Sequence, residues 1–595
     1  MKSRTSFFNP TVYRKNLTRF APSWVIYTVI LLLGYAVLMS ESPYWRARNL
    51  AELIAITGIA NFIYAFLNAQ LIFGDLFSSR MCNALHAMPL RRECWYTTNL
   101  ASGLTFCLIP EILLTFLGVT TMGLGKAWAL PLLWMLASTL QYVCFFGIAV
   151  LCINLTGNRF ASGVVCGLVN FFSMLIYWLV TSLYEPLLTG IKVRQDPFVN
   201  FSPLVKLCNE VDLVEVLSIQ VLDQYGGVIG RTVTGLSLTG AWVWLYLYGA
   251  VGIAALVLGL FLYRRRALEC AGDFMAFRSG EPVLLIVYTV TVAGIFHLFS
   301  DLFDGGPLTY LFLLAGLAVG YFTGLMLLQR TVRVFRLKTV ACFAIFAAAL
   351  IASLGLTALD PLGLTRWVPD ADKVASINLS NRYTHYSYSE RELELTDPED
   401  IQNILDAHSY VIGRTAQDEI DEFGRNYTVN LCVEYTLKNG RTVTRFYDLN
   451  TCNEAGQILQ PYFSSFEYVT GFTEDQIPDL ASRVTRIWAN TNTYDKEEEY
   501  PSAQDAEELL RAIAADCAGG NMAQFGAYHL VKDEFGELDW EWGGGLEIGY
   551  LQIDDNTNTQ QNLYFFITVY SDSVHTIQWL EDHGLYAKDL TDLYY

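Results

Sequence analysis

The chain has 595 residues, 53% of them hydrophobic, and a formal net charge of −19. Residues 360–595 hold 42 of the 58 acids but 15 of the 39 Lys and Arg, a net of −27, while residues 1–359 are net +8. The first part is too apolar for an ordinary soluble domain. The second is too acidic to bind nucleic acid or anionic lipid by charge.

Residues 5–22 mix Phe7, Phe8, Tyr13 and Phe20 with Arg14, Lys15 and Arg19. Such a segment lies in the membrane interface or serves as a juxtamembrane anchor. Nine apolar stretches follow, near 23–40, 53–75, 99–120, 128–153, 160–183, 239–263, 282–299, 307–328 and 339–358. Crossing a bilayer takes roughly 20 apolar residues, and the backbone must satisfy itself there, so each is expected to be a helix. The first follows a basic arm, as in a signal peptide. Its apolar run is long, however, and Met39-Ser40-Glu41-Ser42-Pro43 holds no small-residue cleavage site. An uncleaved helix is expected.

Alternate loops differ in charge. The N-terminal arm and the loops after spans two, four, six and eight carry 17 Lys and Arg; the opposite loops carry 7. Positive charge stays cytoplasmic. The N-terminus is therefore expected inside the cell membrane, and nine crossings place the C-terminal domain outside.

Within the spans, Glu111 stands after Pro110. An ionisable group in a membrane marks a functional position by default, with helix–helix hydrogen bonding or an interfacial position as the plainer readings. No second intramembrane acid accompanies it to form a proton relay. Asn61 and Asn68 are seven apart and share one face of span two, which favours interhelical hydrogen bonds. These three are the intramembrane translocation candidates. His297 is read as interfacial. The long loop 184–238 contains two apolar runs, Pro186–Leu188 and Leu213–Leu222, expected as interfacial or re-entrant helices.

Eight of the twelve cysteines lie in or beside the spans and read as small apolar residues. Cys208, Cys432, Cys452 and Cys517 lie outside them, and a Cys432–Cys452 disulfide stays open. Residues 365–595 read as a soluble α+β domain. Asp397-Pro398-Glu399-Asp400 starts a helix running to about His408. Val429–Thr436 and Thr442–Asp448 flank Asn439-Gly440 as a hairpin with a type I′ turn. Helices are expected at 503–516 and 573–583, the latter stopped by Gly584, and a strand pair at Leu546–Ile553 and Leu563–Tyr570. Strand pair plus helix occurs twice, hinting at two similar lobes. Asp554–Asn558 lacks the Gly and Glu of a calcium loop and reads as a hairpin loop; Glu497–Glu499 reads as a solvated loop. His385, His408, His529 and His575 have no metal-ligand spacing. No catalytic motif supports an enzyme here.

The loop after span two reads Arg80-Met-Cys-Asn-Ala-Leu-His-Ala-Met-Pro-Leu-Arg-Arg-Glu-Cys-Trp95, a short amphipathic helix ending at Pro89, with its apolar face open to a soluble partner. The stretch Leu85–Arg92, with Ser102-Gly103-Leu104 and Pro110 behind it, resembles the second-to-third span segment of bacterial ABC-2-type transporter permeases. The resemblance implies that this loop contacts a separate ATPase, through Arg80, Leu85, His86, Met88, Pro89, Leu90, Arg91 and Arg92. Residues 264–277 are similar to an R-x-x-E-x-A-G-x-x-x-A-F run of a permease subfamily common in Firmicutes, matched by Arg266, Glu269, Ala271, Gly272, Ala276 and Phe277. Arg333-Val-Phe-Arg336 is similar to the same subfamily. The likeness covers about 60% of the chain.

The implied architecture is a polytopic α-helical membrane protein with a cytoplasmic N-terminal segment (1–22), a six-span permease core (23–263), a basic loop (264–281) and three further helices (282–358). An acidic extracytoplasmic domain (365–595) follows. No phosphate-cradling loop exists in the chain; Gly123-Leu-Gly-Lys126 lacks the spacing and the hydroxyl. ATP and Mg would be bound by the partner ATPase, and the chain itself would carry no cofactor and no metal. A second permease copy or a related permease, and membrane lipid, are the other expected partners. The leading expectation is an exporter or resistance complex. The alternative is a membrane sensor or scaffold whose external domain binds a ligand.

Overall fold

The computed structural model describes residues 7–88, 90–209, 213–222, 228–267, 270–277, 280–301, 307–381, 392–412, 428–450, 454–490, 495–499, 501–522, 528–532, 538–542, 544–554, 559–570 and 572–585. The chain forms two compact units, residues 1–180 with 194–352, and residues 181–193 with 353–595.

The first unit begins with α1 (Pro10–Arg19), capped by Asn9, whose side chain accepts from the Thr11 and Val12 N–H groups. Then come α2 (Ala21–Met39), α3 (Pro43–Ile72), the short α4 (Ser79–His86), α5 (Arg92–Thr121), α6 (Leu130–Leu155) and α7 (Arg159–Tyr184). Two short helices, α8 (Asp196–Asn200) and α9 (Pro203–Asn209), lead to a hairpin of β1 (Val214–Leu222) and β2 (Val228–Leu238). The helical series closes with α10 (Trp242–Arg265), α11 (Glu281–Asp301), α12 (Pro307–Gln329) and α13 (Leu337–Leu359), the last of which runs on from Ser353 into the second unit. Among the described residues, eight helices are long and apolar enough to cross a membrane. The halves of α3, Pro43–Ile54 and Ile56–Ile72, are bent by 46° and bring the number to nine only where the pair is counted as one span. This is a polytopic helical membrane protein.

The apolar run at 213–222 is a strand, not a helix. It holds the β-branched residues Val214, Val216, Ile219 and Val221, and opposite Leu217–Ser218 its partner β2 carries one unpaired extra residue, Thr234, as a bulge. Short apolar runs are ambiguous by pattern; β-branching permits the strand, and pairing with β2 decides it.

Helices in this unit approach through glycine. A Cβ on Gly147 of α6 would lie 2.2 Å from the Gly252 carbonyl oxygen of α10. On α12, Gly316, Gly320 and Gly324 recur every fourth residue; Cβ atoms there would meet α11 at 2.6–2.9 Å. Lipid gives little drive for burying apolar surface between helices, so close backbone packing replaces it.

In the second unit, Asp360 ends α13 by accepting from the Leu364 and Thr365 N–H groups. Strands β3 (Val374–Asn381) and β4 (Glu392–Leu395), α14 (Pro398–Val411), and β5 (Thr428–Leu437) and β6 (Thr442–Asn450) build one antiparallel sheet of order β4-β3-β5-β6. Helix α14 starts at an Asp397 cap that accepts from Glu399 N–H. Helices α15 (Glu454–Phe463), α16 (Phe466–Thr470) and α17 (Ile477–Ala481) then lead to β7 (Val484–Asn490) and β8 (Asp495–Glu499). The chain continues through α18 (Ala503–Ala518), the pair β9 (Tyr528–Lys532) and β10 (Leu538–Trp542), strands β11 (Gly544–Asp554) and β12 (Thr559–Val569), and α19 (Val574–Asp582). The second sheet has the order β12-β11-β7-β8. Each sheet has its own apolar core, around Ile404, Tyr435 and Phe463 in one and Leu480, Leu510 and Ile548 in the other.

Two expectations fail locally. The turn between β5 and β6 is not type I′. Leu437 accepts from Gly440 N–H and its own N–H donates to Arg441, and only Gly440 takes a positive φ, +78°. This is a three-residue loop with glycine in the left-handed position. Glu497–Glu499 is not a loop but part of β8, the edge strand of the second sheet. Charge on an edge blocks pairing with another chain. Residues 555–558 and Cys452 lie outside the described residues, as does His385; Asp554 pairs with Thr559 in the β11–β12 hairpin, and Cys432 is buried in β5.

Candidate functional site

Two sites were singled out in the sequence, one inside the spans and one at the basic end, where α1, α4 and residues 264–280 lie.

Inside the spans, Pro110 lacks an N–H, which frees the Phe106 carbonyl one turn earlier. The Tyr64 hydroxyl of α3 donates to that carbonyl at 3.0 Å. Glu111, fully buried, follows on α5. Its two carboxyl oxygens accept from Ser138 Oγ at 2.5 Å and Thr139 Oγ1 at 2.7 Å, both on α6. Ser138 Oγ in turn accepts from Asn61 Nδ2 at 2.9 Å. Asn61 also donates to Gln141 Oε1 at 3.2 Å and accepts from Tyr27 Oη of α2 at 2.8 Å. One turn pair further along α3, Asn68 accepts from Ser23 Oγ at 2.7 Å and donates to Tyr142 Oη at 3.1 Å.

Glu111 and Asn61 are thus brought together through Ser138 by α3, α5 and α6, whereas Asn68 ties α2, α3 and α6 in a separate contact. Glu111 is not isolated; its partners are hydroxyls rather than a second acid. The partners Ser138, Thr139 and Gln141 escaped sequence reading, although Ser138 and Gln141, three apart on one helix face, carried a readable signal. His297 is not merely interfacial: it is 2% exposed, with its ring 4.8 Å from that of Trp178.

At the basic end, the amphipathic arm is the helix α1. Its polar side chains, not only its rings, are engaged: Asn16 Nδ2 donates to Asn99 Oδ1 and Ser102 Oγ, and Tyr13 Oη meets Thr105 Oγ1 at 2.9 Å. Arg266 caps α10 and is 5% exposed. It donates to the Ile153 carbonyl at 2.7 Å and to the Leu76 carbonyl at 3.3 Å. Carbonyls at a helix C-terminus have no partner within the helix and carry partial negative charge, so a guanidinium suits them. Arg92 donates to the Arg264 and Arg266 carbonyls at 3.3 and 3.1 Å, and Arg264 pairs with Glu93 at 3.1 Å.

The remaining family-like residues fold under the α6–α7 turn. Gly272 N–H donates to Gly157 at 2.7 Å and Ala276 N–H to Leu155 at 2.8 Å. A Cβ on Gly157 would lie 2.2 Å from the Cys270 carbonyl, so only glycine fits that turn. Gly272 has φ +96° and its carbonyl accepts from Arg330 at 2.6 Å. Ala271 accepts from Ser79 Oγ at 3.5 Å, and Phe277 is half-buried in the same segment. Glu269 and Pro89 lie outside the described residues. Leu85 and His86 lie in α4; Arg80, Met88 and Arg91 are exposed, and Leu90 is half-buried.

The two segments distant in sequence, 80–95 and 264–277, therefore meet in one platform tied to the turn after α3 and to the ends of α5, α6 and α10. Among the described residues no group of His, Cys, Asp and Glu is placed to hold a metal ion. In comparisons with known proteins, no family model, no curated protein and no solved structure matches this chain.

Proposed function

We propose that this chain is the membrane subunit of a transporter, an exporter or resistance complex, driven by a separate ATPase. Helices α2, α3, α5, α6, α7 and α10 form its ABC-2-like core, and α11–α13 with the second unit are additions. The observation that supports the reading is the platform. Both segments that resemble ABC-2 permeases lie in it, and Arg266 and Arg92 couple it to the ends of α5, α6 and α10 and to the turn after α3. A force applied at α4 would reach the helices that hold Glu111, Asn61 and Asn68. The partner ATPase would bind ATP and Mg, and its dimerisation would rock these helices between two arrangements. Two permease halves, identical or related, complete such a complex.

Among the described residues, the large apolar side chains exposed on the platform are Met81 and Met88. The full chain, purified from its native membrane, is expected to bring with it an ATPase carrying Walker motifs. The M81D/M88D variant should lose it while inserting normally. A wild-type preparation without an ATPase, or a variant that keeps it, overturns the reading.

The reading also places the basic end in the cytoplasm and the acidic unit outside. Gln504 is exposed in the first turn of α18, and Ser502 is avoided because its side chain caps that helix. In intact cells, a membrane-impermeant maleimide should label Gln504→Cys above the background of the unsubstituted chain. Labelling only after lysis would reverse the sidedness.

A further inference from the structure

At the end of the first unit opposite the platform, a cavity of about 730 Å³ opens between the start of α3, the α5–α6 turn and β2. Tyr44, Trp45, Arg48, Gly123, Gly125 and Arg231 line it. Neither the platform nor the Glu111 network uses it. We propose that it binds the phosphate-bearing head of an anionic amphiphile.

Its size is that of a small-molecule site. Its chemistry is cationic and aromatic. Arg231 lies 5.4 Å from the centre of the Tyr44 ring and donates from one nitrogen to Tyr44 Oη at 3.0 Å. Among the described residues Arg231 forms no ion pair, and a guanidinium has five N–H donors. Arg48 lies 5.4 Å from the Trp45 ring, and its Nε donates to Glu52 at 2.9 Å. Arg48 also interacts with the Tyr44 hydroxyl, and its remaining terminal N–H groups are charged donors of the kind a phosphate accepts. Two arginines against one glutamate leave a net positive site.

The cavity is preorganised. Each guanidinium rests on a ring, which limits the rotamer freedom that binding would otherwise cost. The opposite wall is a glycine turn. Gly123 and Gly125 have φ of +63° and +54°, and added Cβ atoms there would meet nothing within 4 Å. Arg46 fastens this turn to α3, donating to the Met122 carbonyl at 2.9 Å and the Met39 carbonyl at 3.2 Å.

The surroundings favour an amphiphile over a fully soluble anion. Trp45 and Trp128 are exposed at this end of the spans, where indoles sit at the membrane–water boundary. Val37, in the last turn of α2 before the loop that reaches Ser42, is exposed as well. A head group held by Arg48 and Arg231 would leave acyl chains free to run along such a surface. The same phosphate chemistry is offered by a lipid head group or by a free glycerol phosphate.

The test uses the full chain in a neutral maltoside detergent. Apparent affinities are read from the shift in melting temperature with phosphatidylglycerol, phosphatidylcholine and glycerol phosphate. Phosphatidylglycerol should bind the wild type about tenfold more tightly than phosphatidylcholine, and R48Q/R231Q should abolish that preference. K126Q removes a charge at the same end without touching the cavity wall, and should keep it. If the double variant melts early without ligand, R231Q alone, on an exposed strand position, should still lose most of the preference. Glycerol phosphate bound with the same arginine dependence, without a phosphatidylglycerol preference, would make the source soluble and keep the site. Binding of both ligands that is unchanged in R231Q and R48Q/R231Q would overturn the proposal.

Discussion

The two units of this chain are built by opposite rules. In the first, polar side chains such as Asn61, Glu111, Ser138 and Gln141 are fully buried, while Val29, Leu33 and Ile63 face outward. In the second, beyond Trp367, the described large apolar side chains left exposed are Tyr564, Phe566 and Val574. Its buried polar groups are few and individually tied: Asp516 accepts from the Thr576 N–H and hydroxyl, both at 2.7 Å, and so anchors the start of α19. The solvent explains the inversion. Water pays for burying apolar groups, whereas lipid does not distinguish one apolar surface from another and penalises an unpaired polar group. Cohesion in the first unit must then come from close backbones and hydrogen bonds, and in the second from bulky cores.

The largest expected effect tests that division directly. Gly147→Leu puts a side chain where even a Cβ meets the Gly252 backbone at 2.2 Å. It should destabilise the first unit by more than about 3 kcal/mol and sharply reduce folded protein in the membrane. Gly355→Leu in α13 is the control, since an added Cβ there meets nothing within 4 Å; a change within about 0.5 kcal/mol is expected. In the second unit the harmful direction is reversed. Leu510 is fully buried between sheet and helices, and Leu510→Ala should cost about 3 kcal/mol through the cavity it leaves. Fluorescence size-exclusion of folded yield checks the first pair, and hydrogen exchange of α18 the second. Equal tolerance of Gly147→Leu and Gly355→Leu would break the argument from glycine packing.

The next effect is a pH dependence confined to the second unit. His408 is buried between two tyrosines, with Nε2 2.6 Å from Tyr447 Oη and Nδ1 2.8 Å from Tyr435 Oη. Burial, and after it the Arg445 charge, lowers its pKa from 6.5 to about 4. Burial likewise pushes the Tyr447 hydroxyl up to about 12. A lowered histidine pKa means that the unfolded chain binds the proton first. Stability from this group is complete above about pH 6.5 and is lost as pH falls towards about 4, by about 3 kcal/mol in total. Many carboxylates titrate nearby in pH, so the comparison is with His408→Gln. Hydrogen exchange of β5 and β6 should show a steeper loss of protection in the wild type between pH 6.5 and 4. Parallel profiles would mean that His408 is already solvated in the native state.

The long apolar helices were readable because length and apolar content alone define them. The helix start at Asp397 was readable because a cap is a local device. The failures lie where a partner decides. Leu213–Leu222 became a strand because β2 stands beside it. Glu497–Glu499 became an edge strand because β7 offers its hydrogen-bonding edge. Asn439 did not take the left-handed turn because the loop closes one residue later, at Arg441. In the site, Glu111 and the asparagines stood out because polar groups are rare in spans, but Ser138 and Thr139 are common enough there to pass unnoticed. The coming together of 80–95 and 264–277 depends on Arg92 and Arg266 reaching backbone carbonyls, a contact without any sequence pattern.

The smallest expected effect concerns the Glu111 network, and it separates cohesion from function. Ser138→Ala removes the donor to one Glu111 oxygen and one acceptor of Asn61. Thr139 still donates to the other oxygen at 2.7 Å, and Asn61 keeps Gln141 at 3.2 Å. Interhelical hydrogen bonds in membranes contribute on average well under 2 kcal/mol, because the alternative arrangements also find partners. The loss should therefore be about 1 kcal/mol. Glu111→Gln keeps the shape, removes the ionisable group and exchanges one accepting oxygen for an amide that can donate to the facing hydroxyl oxygen; its melting temperature should stay near the wild-type value. On the proposed transporter reading, if the network only ties helices together, both variants keep the ATPase activity of the proposed complex in proportion to folded protein. If Glu111 takes part in the transport cycle, Glu111→Gln should lower that activity at unchanged stability, while Ser138→Ala should lower stability with activity per folded molecule retained. The split between the two variants carries the inference, since a polar group placed for cohesion is replaceable by any side chain that makes the same hydrogen bonds, and one placed for proton or charge transfer is not.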